Sequence, residues 1–194
     1  MKRYAIRPFA GWEGVEALSM DENLWLPPAD IAAWAQIARD ADGLLVRLTA
    51  REARIRAEET GALGHPWEDS CLEFFFAPVP GDPRYVNIEF NPNGCACVGL
   101  GAGSFRTRLL PEQDWLAPKP FKTPDGWGIA YRVPFAFIRT LFPGFEPIDG
   151  HILRANCYKC GDRTERPHFL AWNPVTSLTP NFHRPQDFGE MVLA

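Results

Sequence analysis

Proline and glycine interrupt this chain so often that long helices have little room to form. The 194 residues include 19 Pro and 16 Gly, and they gather between short apolar runs, where each breaks a helix or sets a turn. Asp30 to Arg39 (DIAAWAQIAR) alternates apolar with small or polar residues, and Gly43 to Ala50 (GLLVRLTA) follows the turn signal Arg39-Asp40-Ala41-Asp42-Gly43. That pattern predicts a hairpin. Asp69 to Ala77 (DSCLEFFFA) is a strongly apolar run holding one acid, predicting a central strand. Arg84 to Asn91 (RYVNIEFN) has the cleanest period of two, with Val86, Ile88 and Phe90 on a core face and Tyr85, Asn87, Glu89 and Asn91 on a polar one. Further short strands are expected at 95–100, 105–110, 127–133, 151–158, 169–172 and 188–193. One helix is expected, over Pro134 to Leu141, with Pro143-Gly144 stopping it. Glycines 99 to 103 (GLGAG) lack a following helix pattern and read as a turn or bulge. About nine short strands with one short helix predict an all-β chain, a β-sandwich of jelly-roll or immunoglobulin-like kind.

Length and composition fit that reading. The chain is expected to form a single domain over residues 1–194, since no repeat, charge run or low-complexity linker divides it. At 46% hydrophobic and 23% charged it has an ordinary globular composition, which excludes global disorder. Twenty Lys+Arg against 24 Asp+Glu give a net charge of −4, so there is no electrostatic footprint for nucleic acid or an anionic membrane. The first residues, MKRYAIRPFAGWEGVEAL, show no export signal, and no run approaches the roughly twenty apolar residues that span a bilayer. Five cysteines, an odd and sparse set, read as reduced buried thiols and point to the cytoplasm.

Enzyme signatures are missing. There is no G-x-S-x-G elbow, no phosphate loop and no H-E-x-x-H. Cys157-x-x-Cys160 has ligand-like spacing, with Cys95, Cys97, His168 and His183 as conceivable partners. On one strand, however, Cys157 and Cys160 point to opposite faces, so plain core thiols are the simpler reading and no metal site is assigned. Glu73 and Glu89 would serve glycoside hydrolysis only if they faced one another across a cleft.

A ligand rich in hydroxyls fits the residues better. Sugars offer apolar C–H faces to flat rings and hydroxyls to carboxylates, amides and cations. Trp67 stands in a loop directly before the strand carrying Glu73, while Glu89 shares the polar strand face with Asn87 and Asn91. Phe182 and His183 occupy a proline-bounded loop near the carboxyl end. The competing readings are a Trp67 packed under its loop, a buried Glu73 satisfied by a partner, and a merely solvated face at Asn87, Glu89 and Asn91.

These segments resemble carbohydrate-binding module family 9. The matching stretches are Pro66-Trp67-Glu68-Asp69-Ser70-Cys71-Leu72-Glu73-Phe74-Phe75, Tyr85 to Gly94, Gly126-Trp127 through Val133-Pro134-Phe135, and Phe182 to Gly189. The resemblance implies a non-catalytic β-sandwich that holds a mono- or oligosaccharide between two aromatic rings. It puts the first ring at Trp67, an acid at Glu73 and the second ring, usually Trp, at Phe182. One extra residue before Glu73, relative to the family pattern, predicts a bulge that re-aims this acid. Asn156 to Asp162, with His168 and Trp172, resembles a less-studied branch of the same group, and adds Lys159, Asp162, His168 and His183 to one mouth of the sandwich. The alternative for this stretch is a Lys159–Asp162 salt-bridged turn beside a core Trp172.

The expected carbohydrate site is therefore Trp67, Glu73, Glu89, Lys159, Asp162, Phe182 and His183. Trp67 and Phe182 stack, Glu73, Glu89 and Asp162 accept hydroxyl hydrogens, and Lys159 and His183 donate. A His183 imidazolium predicts affinity that declines above roughly pH 7. No cofactor is expected, with calcium entering only through the family resemblance, and no Asp-rich calcium loop is evident. Two other classes fit the residues, a sugar-related hydrolase or lyase using Glu or His, and a scaffold domain that has lost the sugar site.

Overall fold

A computed structural model describes residues 1–27, 30–61, 63–102, 105–110 and 115–194. Its elements run β1 (Arg3–Pro8), β2 (Ala17–Ser19), β3 (Glu22–Asn23), β4 (Ala32–Arg39), β5 (Gly43–Arg51), β6 (Cys71–Ala77), β7 (Tyr85–Phe90), β8 (Ala96–Ala102), β9 (Phe105–Leu109), β10 (Lys119–Thr123), β11 (Gly126–Pro134), α1 (Phe135–Leu141), β12 (Ile152–Cys160), β13 (Phe169–Ala171) and β14 (Gly189–Leu193). The chain is all-β with one short helix, as its punctuation requires. No helix among the described residues is long and apolar enough to cross a membrane.

The strands form two layers of one curled sheet. The first layer runs β10-β11-β5-β4, with β2 also paired to β4, and the second runs β9-β8-β7-β6-β12-β14, with β13 and β3 continuing from β12. β1 joins them, because Arg3–Ile6 lie parallel to β14 while Arg7 and Pro8 lie parallel to β4. The β4–β5 hairpin turns at Asp40, whose carboxylate accepts the backbone N–H groups of Asp42 and Gly43 at 2.8 and 3.0 Å. Between the layers, Leu72, Phe74 and Phe76 of β6 and Val86, Ile88 and Phe90 of β7 join a core that includes Val46, Leu48, Ile129 and Tyr131. The rings of Phe90 and Tyr131 meet across it at 4.9 Å.

The opposite face of the second layer departs from expectation. Tyr85, Asn87, Glu89 and Asn91 do share a face, but all four are buried. Segments outside the ladder cover it: Phe182, Phe188, Trp25 and Trp67 pack there with Cys71, Phe75, Tyr85 and Tyr158 as a second apolar cluster. Gly99 to Ala102 belong to β8 and pair residue for residue with β9, so the expected turn is not at these positions, and Gly103 lies outside the described residues. Here glycine permits close approach: a Cβ on Gly99 would stand 2.3 Å from Asn87 Oδ1, and one on Gly101 would stand 1.8 Å from the Phe105 carbonyl oxygen. Four strands escaped the sequence pattern, β1, β2, β3 and β10.

Candidate functional site

The covering segments leave a cleft of about 590 Å³ over β7, β8 and β9. Trp67 reaches it from a 3-10 turn, Pro66–Glu68, where proline's fixed φ suits the first position. Two neighbours hold that turn in place. The backbone N–H groups of Asp162 and Arg163 donate to the carbonyls of Trp67 and Glu68 at 3.1 and 3.0 Å. The buried Asp69 carboxylate accepts the N–H groups of Glu58 and Glu59 and the amide of Asn91, all at 2.8 Å. Asp69 and Asn91 are therefore anchors for the loop. The Trp67 ring stacks on His65 at 4.7 Å, and the Arg108 guanidinium lies over it at 5.3 Å.

The floor is polar and incompletely satisfied. Asn87 Nδ2 donates to Glu89 Oε1 at 2.7 Å, while Asn87 Oδ1, on a residue 1% exposed, has no hydrogen-bond partner. A buried acceptor without a donor is costly. Burial pushes the Glu89 carboxyl up to about 7, against the donated amide of Asn87 and the positive charges of Arg106 and Arg108. Burial likewise raises Asp162, helped by the charge of Glu68.

Trp67, Glu89, Asp162, Phe182 and His183, five of the expected site residues, line this cleft. Phe182 is 8% exposed and lies flat on Tyr158 at 4.0 Å and 12°, so it forms wall more than open platform. Beside it, at 5.5 Å, stands Trp25, a lining residue absent from the sequence expectation. Trp25 is held by its Nε1–H, which donates to the Ser177 carbonyl at 2.7 Å. His183 is not an imidazolium: burial and the adjacent Arg106 lower it to about 3. Its Nδ1 lies 2.8 Å from the Tyr85 hydroxyl and its ring stacks on Phe75. The expected loss of affinity above pH 7 through His183 therefore has no basis.

Glu73 and Lys159 fall elsewhere. β6 pairs without a bulge on both sides from Leu72 to Phe76, so the extra residue does not re-aim Glu73. Glu73 stands directly beside Glu89 in the β6–β7 ladder and accepts the Cys160 thiol at 2.9 Å. Burial first, then the neighbouring Glu89, raise its carboxyl well above the usual range. The two acids are thus side by side on one sheet, not facing each other across a cleft. Lys159 is fully buried on the other face of β12, 3.2 Å from Glu52 and 2.7 Å from His168 Nε2. The indole N–H of Trp127 and the hydroxyl of Ser70 also donate to Glu52, at 2.5 and 3.1 Å. The pairing of Lys159 is with Glu52, not Asp162, and His168 goes with it; Trp172 is a core residue.

Arg106 and Arg108 were not legible as site residues. They alternate on β9 opposite Gly101 and Gly99 of β8, whose missing side chains let both guanidinium groups lie inward over the sheet. Cys157 faces the interlayer core and Cys160 the cleft-side cluster, so they do not converge. Among the described residues, the one group of three His, Cys, Asp or Glu side chains with clustered ligand atoms is Cys71, Glu73 and Cys160, within 4.8 Å of one another. Two thiols and one carboxylate do not fit calcium, which takes six to eight oxygens.

One family model covers nearly the whole chain. The model of carbohydrate-binding family 9 matches residues 10–193. A Bacteroides uniformis protein to which carbohydrate binding has been ascribed is 28% identical, with a TM-score of 0.83 over 100% of this chain and 99% of that one. Two structures of a family 9 carbohydrate-binding module from Caldicellulosiruptor kristjanssonii share the fold at 16% identity. The cellotriose complex has a TM-score of 0.71, covering 99% of this chain and 93% of that one. The glucose complex has a TM-score of 0.72, covering 100% and 96%. No curated relative matches the chain.

Proposed function

The chain belongs to carbohydrate-binding family 9, and from that premise we propose that the cleft over β7, β8 and β9 binds a mono- or oligosaccharide without acting on it. The observation that carries this reading is an aromatic wall beside a polar floor in one cleft. Trp67 and Trp25 offer indole surface to sugar C–H faces, and the amide of Asn87 holds Glu89 in the cleft floor by donating to its carboxyl. Glu89 accepts a sugar hydroxyl there, and Asp162 and Asn181 line the remaining polar rim. Phe182 and His183 close the wall as neutral rings. The Glu73–Glu89 pair cannot flank a glycosidic bond in this cleft, because Glu73 does not line it. The carbohydrate ligands of the Caldicellulosiruptor modules support the same reading.

A panel of monosaccharides and oligosaccharides, read by tryptophan fluorescence and calorimetry, tests it. We expect saturable binding by the wild-type protein, and Trp67→Ala should weaken it by about 2 kcal/mol, roughly thirtyfold. A wild-type protein that binds nothing on the panel overturns the function. Equal binding by Trp67→Ala and wild type overturns the placement of the site.

A further inference from the structure

Two guanidinium groups at one side of the cleft have a use that neutral sugar hydroxyls do not require. Arg106 and Arg108 stand two residues apart on β9 and line the same cleft. Arg108 donates to the carbonyls of Leu63 and Gly64 at 2.8 and 2.5 Å and approaches Cys97 Sγ at 3.4 Å. Arg106 lies against the His183 ring. Among the described residues neither has a carboxylate at ion-pair distance, so neutral dipoles and a neutral imidazole are their partners. Glycine on β8 is what aims both inward, since Gly99 and Gly101 are their ladder partners.

The acidic groups of the cleft offset this charge only in part. Asp162 follows the end of β12, which β6, β7 and β8 separate from β9. Glu89 lies two strands in from β9, makes no ion-pair contact with either arginine, and has its carboxyl raised by burial. The cleft is thus polarised, with its permanent positive charge at the β9 side and its hydroxyl acceptors on the floor.

We propose that the saccharide held here carries a negative group, a uronic acid carboxylate, seated against Arg106 and Arg108. This rests on the carbohydrate reading above. A carboxylate is planar and bidentate, which matches the guanidinium fork, and its hydrogen bonds are charge-assisted. A sulfate or phosphate ester also offers negative charge, but with tetrahedral geometry.

Calorimetry at low salt with glucuronic acid, glucose and the uncharged methyl ester of glucuronic acid decides the matter, with galacturonic acid and galactose as a second pair. Wild type should bind the uronic acid about tenfold more tightly than its neutral counterpart, and the methyl ester should behave like the neutral sugar. Raising salt should shrink the ratio. In Arg106→Gln/Arg108→Gln the ratio should fall to about one, and Arg106→Lys/Arg108→Lys should keep part of it. The salt and ester measurements need no variant, so they stand if the double substitution unfolds the edge strand. Neutral sugars bound as well as or better than uronic acids overturn this inference and leave the carbohydrate site intact. A glucose 6-sulfate or 6-phosphate preferred over glucuronic acid overturns the carboxylate assignment. Silence from every sugar overturns both the inference and the reading on which it rests.

Discussion

Opposite sides of β12 carry polar groups of similar kinds put to different ends. On one side Lys159, Glu52, His168, Trp127 and Ser70 complete one another's hydrogen bonds with almost no exposure. On the cleft side Asn87 keeps an unpaired oxygen, and Arg106 and Arg108 lack carboxylate partners among the described residues. Both groups contain lysine or arginine, an acid and a histidine, and residue type alone does not separate them. Saturation does. A closed network positions the chain, and an open one is available to a ligand.

The largest effect should come from breaking the closed network. Lys159→Met leaves Glu52 buried without its cation, and the unfolding free energy should drop by about 3–5 kcal/mol in denaturant titration at pH 7. Sugar affinity of the fraction that remains folded should be unchanged. A drop below about 1 kcal/mol would show that the network is dispensable and the contrast empty.

A smaller effect should follow from disturbing the open group. In Gly99→Ala the new Cβ lies where Asn87 Oδ1 now stands, 2.3 Å away. The amide must move, and sugar affinity should fall about tenfold, the worth of roughly one hydrogen bond. Unaltered affinity in a folded Gly99→Ala protein would remove Asn87 from the site.

The smallest effect concerns pH. Burial pushes the Glu89 carboxyl up to about 7, so neutral-sugar affinity should rise a few-fold between pH 6 and 8 as the carboxylate becomes a pure, charged acceptor. Glu89→Gln should flatten that profile, and a profile equally steep in Glu89→Gln would assign the titration elsewhere. Stability moves the other way. With its carboxyl raised from the ordinary 4.5, the folded protein holds a proton that the unfolded chain releases, so this group's contribution falls as pH rises from about 4.5 to 7. His168 and His183, lowered to about 4 and 3, oppose it, because the unfolded chain takes up protons on both as pH drops below about 6.5. The difference between wild type and Glu89→Gln isolates the carboxyl.

Strand parity explains much of what sequence reasoning reached and missed. In β7 the alternation was clear, and it put Asn87 and Glu89 on the correct face. What it could not show was that distant loops bury that face. Lys159 was misplaced because the predicted strand stopped at Tyr158. Since β12 runs on to Cys160, parity sends Lys159 to the face opposite Tyr158 and Cys160. Arg106 and Arg108 looked like an ordinary polar edge, and only the β8–β9 register gives glycines as their neighbours. Trp25 sits between segments too short to have a period. β1 is short: only Tyr4 and Ile6 point inward, and two alternating positions ending at Pro8 are too few to mark a strand that passes from one layer to the other.

One consequence follows from where the two arginines are carried. Among the described residues β9 has a single ladder neighbour, β8, and its Phe105 is 88% exposed. The groups that would sort charged from neutral ligands therefore ride on the outer lip of the barrel-like curl, away from the interlayer packing that holds the molecule together. Sequence drift along that lip can rewrite ligand preference while the body of the protein stays as it is.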